Sequence, residues 1–111
     1  MKYDLQKMTV REVIETEEFK ENMKKAVDIE LQTLTDKAYD VMRQGGRLKR
    51  SPLNPLMERN VFNADRMTEL YMAILNKSLV GFAAAERAYI SEVGRQVYNI
   101  TIKQLQASNG L

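Results

Sequence analysis

The chain has 111 residues, 44% hydrophobic and 29% charged, with five Gly and two Pro, which suits one folded soluble domain spanning 1–111 and argues against disorder or a fibrous repeat. It contains neither Cys nor His, which excludes disulfide scaffolds, zinc sites of the usual kind, Cys nucleophiles and His-based acid–base chemistry. Basic and acidic residues number 17 and 15, so no global field draws the chain to nucleic acid, although residues 45–62 hold four basic residues against one acidic.

Thr9 opens the run T-V-R-E, in which a threonine hydroxyl and a glutamate three residues later satisfy each other's backbone N–H groups, so a short helix is predicted from Val10. Thr16 followed by Glu17 and Glu18 is a second start signal, because carboxylates in a first turn meet the positive end of the helix dipole. From there a long helix is predicted to run from about Glu17 to Gln44. At about 100° per residue, Phe19, Met23, Ala26, Val27, Leu31, Leu34, Ala38, Val41 and Met42 share one face, the expected core stripe. Ile29 and Tyr39 point elsewhere and are candidates for a second contact.

Gly45 and Gly46 end this helix, since glycine takes the left-handed conformation beyond a helix without steric cost. Residues 45–55 then read as a basic linker containing Gly and Pro, with Asn54 and Pro55 starting a helical turn in P-L-M-E-R-N. Asn63 caps a third substantial helix to about Asn76, with Met67, Leu70, Tyr71, Ile74 and Leu75 as its apolar stripe and Met72 off it. A break at Gly81 precedes the last helix, from about Ala83 to Gln106.

Residues 97–103 conflict, because Tyr98, Ile100 and Ile102 alternate with polar residues as a strand would. Helix is preferred, since no second strand is in view and a lone strand leaves its backbone groups unpaired. Two apolar faces result. Phe82, Tyr89, Val93, Val97 and Ile100 form one, read as core; Ala84, Tyr98, Ile102 and Leu105 form the other, read as an interface. Gly94 is expected to admit another helix closely.

The predicted architecture is all-α: a small helical bundle with two long helices, a shorter third, and short N-terminal and linker turns. The long helices, about 40 and 36 Å at 1.5 Å per residue, outrun a globule whose radius of gyration should be near 13 Å. Apolar surface is therefore expected to remain uncovered in a monomer.

Arg43, Arg47, Lys49 and Arg50 fall within eight residues and could grip phosphates or an acidic protein, but no aromatic residue interleaves them to stack on bases. The carboxylates Glu12, Glu15, Glu17, Glu18 and Glu21 are read as capping and dipole complements rather than a metal site. Glu86 and Arg87 are read as surface charge, with burial and pairing to Arg66, Glu69 or a neighbouring chain as the alternative.

The function expected is that of a non-enzymatic structural or interaction protein that oligomerises or docks into a larger assembly, such as a virion. Its interface would use Ile29, Tyr39, Met72, Tyr98, Ile102 and Leu105. The alternatives are a nucleic-acid-backbone binder acting through the basic linker and a small viral inhibitor of a host protein. No cofactor, metal, membrane or small-molecule substrate is expected. M-K-Y-D-L-Q-K-M-T-V-R-E-V lacks the apolar run of a secretory leader, so a cytoplasmic location is expected.

Overall fold

The computed structural model describes residues 7–46 and 53–109. Five helices follow one another: α1 (Val10–Ile14), α2 (Glu17–Arg43), α3 (Leu53–Glu58), α4 (Ala64–Leu75) and α5 (Ala84–Asn109). The architecture is the all-α bundle predicted, and residues 97–103 are helical within α5.

The start signals act as their chemistry requires. The hydroxyls of Thr9 and Thr16 accept from the backbone N–H of Glu12 and Phe19, and the Asn63 side chain accepts from that of Arg66. Each satisfies one of the donors a helix N-terminus leaves over. The linker turn departs from expectation: α3 begins at Leu53, which puts Asn54 and Pro55 inside its first turn, where a missing N–H costs nothing.

Three helices stop in one way. After α2, the N–H of Gly46 donates to the Val41 carbonyl and that of Gly45 to Met42, the paired bonds of a Schellman motif. Val61 and Asn60 repeat this on Leu56 and Met57 after α3, and Ser78 and Lys77 on Ala73 and Ile74 after α4. The motif needs a left-handed residue, and only α2 supplies glycine for it. Asn60 and Lys77 adopt φ of 56° and 57° instead.

The core lies between the first half of α2, α4 and the inner face of α5, which all four other helices touch. Phe19, Met23 and Val27 of α2 meet Met67, Leu70 and Tyr71 of α4 and Ile90, Val93 and Val97 of α5, with Leu56 and Val61 closing one side. The rings of Phe19 and Tyr71 stack at 6.4 Å. Gly94 serves the close approach expected of it, against an aromatic ring: a β-carbon there would stand 2.2 Å from Cδ1 of Tyr71.

The molecule measures 55 × 33 × 17 Å, with a radius of gyration of 16.1 Å against about 13 Å for a compact chain of this length.

Candidate interaction surface

The pairing of α2 with α5 builds a surface groove bounded by polar contacts. Asn22 meets Thr101 and Gln104 near one end, and Glu30 meets Tyr89 towards the other, so the two helices run antiparallel. Asn22 is buried, and its Nδ2 donates to Oγ1 of Thr101 at 3.1 Å and Oε1 of Gln104 at 2.9 Å. The Thr101 hydroxyl donates onward to the Val97 carbonyl at 2.8 Å. The buried Asn22 and Thr101 side chains thus have partners, the condition for burying them without a penalty of about 1–3 kcal/mol.

At the other end the Tyr89 hydroxyl donates to Oε2 of Glu30 at 3.0 Å. Burial, followed by the negative charge of Glu30 and the hydrogen bond to it, pushes the Tyr89 phenol well above its ordinary value of 10.0.

Between these polar contacts lies a groove of about 360 Å³. Ala26, Val93 and Val97 form its floor, and Ile29 and Ile100 stand on its sides, 64% and 50% exposed. Lys25 and Glu30 flank Ile29 on α2. An apolar floor with exposed isoleucines and a polar rim suits an apolar side chain carried by another protein surface. Among the described residues no group of three or more carboxylates is arranged to hold a metal ion, and no helix is long and apolar enough to cross a membrane.

The candidate interface residues fare differently. Ile29 stands on the groove and Tyr39 is 65% exposed near the end of α2. Met72 and Tyr98 are partly buried against the chain's own core, and Ile102 is partly buried. Leu105 is wholly buried within the single chain, so its assignment to an outer interface is corrected.

The reason is a phase error around Thr101. The inner face of α5 is Ile90, Val93, Val97, Thr101 and Leu105, and it includes Thr101, one of the polar residues of the alternating stretch. Placing Ile100 on that face instead turns the centre of the stripe by about 70° and carries Leu105 outwards. With its hydroxyl satisfied by Asn22 and Val97, Thr101 is fully buried and Ile100 is left on the surface.

Of the basic cluster, Arg43 is the exposed last residue of α2, whereas Arg47, Lys49 and Arg50 lie outside the described residues. Met42, assigned to the core stripe, is 76% exposed; the side chain of Ala38 lies outside the described set.

Glu86 overturns its surface assignment. It is buried, and its Oε1 accepts the backbone N–H of Ala83 at 2.8 Å, capping α5, while Oε2 has no hydrogen-bond partner. Arg66 pairs with Glu69 instead, and Arg87 donates to the Phe82 carbonyl. Sequence reasoning also missed Arg59, whose guanidinium sits 4.0 Å over the Phe82 ring and donates to the Gly81 carbonyl. Both contacts are long-range, and no local pattern announces them.

Comparison with protein-family models, with curated proteins and with solved structures gave no match.

Proposed function

We propose that this chain is a non-enzymatic interaction protein that acts by associating with itself or by docking into a larger protein assembly. The observation that supports the reading is the α2–α5 groove, where Ile29 and Ile100 are exposed above an apolar floor. Filling it with a partner's apolar side chain removes that surface from water, at about 25 cal/mol per Å². The polar rim would set the orientation of the partner.

The test is capture from the native source combined with sedimentation of the purified chain. Wild type should self-associate or retain a defined partner, and Ile29→Asp with Ile100→Asp should abolish that association while circular dichroism stays helical. Both side chains are exposed in the single chain, so the double variant should fold. A dispersed monomer that retains no partner refutes the reading.

A further inference from the structure

Beyond Leu34, α2 leaves the core. Among the described side chains from Thr35 to Arg43 only Val41 is even partly covered, while Tyr39 and Met42 are 65% and 76% exposed. At about 100° per residue Gln32, Thr35, Tyr39 and Met42 lie along one strip of this segment, and Asp36 and Arg43 both lie on the same flank of it.

Among the described residues these charges form no ion pair, and Asp36 accepts a hydrogen bond from Gln32. Among the described residues some charges at helical spacing do pair, Arg11 with Glu15, Lys20 with Glu17, Arg66 with Glu69 and Arg95 with Glu92, while others, such as Glu21 and Lys25, do not.

We propose that the occupant of this strip is a second copy of the chain, its α2 running antiparallel about a two-fold axis beside Tyr39. In an antiparallel pair related by a two-fold axis, each flank faces the same flank of the other copy. Placing Asp36 opposite the second copy's Arg43 therefore forms two opposite-charge contacts at once. The flank is thus complementary to itself across the axis, which favours a second copy as the partner. Tyr39 and Met42 fill the seam, and the α2–α5 groove stays open to another occupant. The inference rests on the interaction reading above and adds to it the partner and the surface.

Since the chain has no cysteine, single cysteines report proximity without background. Under mild oxidation of the full chain, Tyr39→Cys should give a disulfide-linked dimer and Ile29→Cys should not. In sedimentation equilibrium, Asp36→Arg or Arg43→Asp alone should weaken the dimer about tenfold, and the two together should restore it. The proposal is overturned by a wild-type monomer up to about 1 mM, by failure of Tyr39→Cys to cross-link, or by single reversals that change nothing. Cross-linking through Ile29→Cys instead would overturn this surface while leaving the interaction function standing. A monomer that also retains no other protein ends both.

Discussion

The two parts of α2 obey one sequence rule and meet different fates. From Phe19 to Val27 its apolar stripe is sealed under α4 and α5; from Thr35 to Arg43 the same stripe runs on past the elements that could cover it, and Met42 stands in solvent. Amphipathic periodicity shows which side of a helix can be buried. Whether it is buried depends on the length of the neighbours, and α4, about 18 Å long at 1.5 Å per residue, is too short to follow α2 to its end.

The largest effect should come from removing one apolar side chain on either side of that divide. Phe19→Ala empties a fully buried site stacked on Tyr71 and should cost about 3–5 kcal/mol, a large part of a domain's total stability. Met42→Ala should stay within about 0.5 kcal/mol in the monomer. Urea midpoints measure both, and equal losses would show that the end of α2 is covered after all.

A smaller effect sharpens the picture of the covered part. Gly94→Ala should destabilise by about 1–3 kcal/mol although alanine is the better helix former, because the added methyl meets the Tyr71 ring. Against a Tyr71→Ala background the same change should be neutral or stabilising, and a loss that persists there would refute the ring contact as its cause.

The smallest effect concerns pH. The Tyr89 phenol holds its proton more tightly folded than unfolded, so its stabilisation is complete below pH 10.0 and is lost as pH rises towards the higher folded value. Wild type should therefore lose stability relative to Tyr89→Phe only above that pH. Parallel alkaline melts read this directly, and a constant offset across the range would rule it out.

The helix starts at Thr9, Thr16 and Asn63 and the stop at Gly45 were legible in sequence because a cap is local: its donor and acceptor lie within a few residues. The stops at Asn60 and Lys77 were not, since neither residue advertises a left-handed backbone as glycine does. Of the surface, Ile29 was readable as an off-stripe residue, while its companion Ile100 was hidden by the phase of α5. That phase is decided by Asn22, 79 positions from Thr101, and no window of neighbouring residues contains it.

The contact of Asn22 with Thr101 and Gln104 also works as a ratchet stop. Sliding α2 along α5 by one turn, about 5.4 Å, would move the Asn22 amide off both partners and leave Thr101 facing apolar side chains. Purely apolar stripes would allow such a slip at little cost. Locked in this way, α2 and α5 behave as one strut, and the last nine residues of α2 form a cantilever about 13 Å long whose reach beyond the body is fixed. The tip of α2 is thereby held at a set distance from the groove.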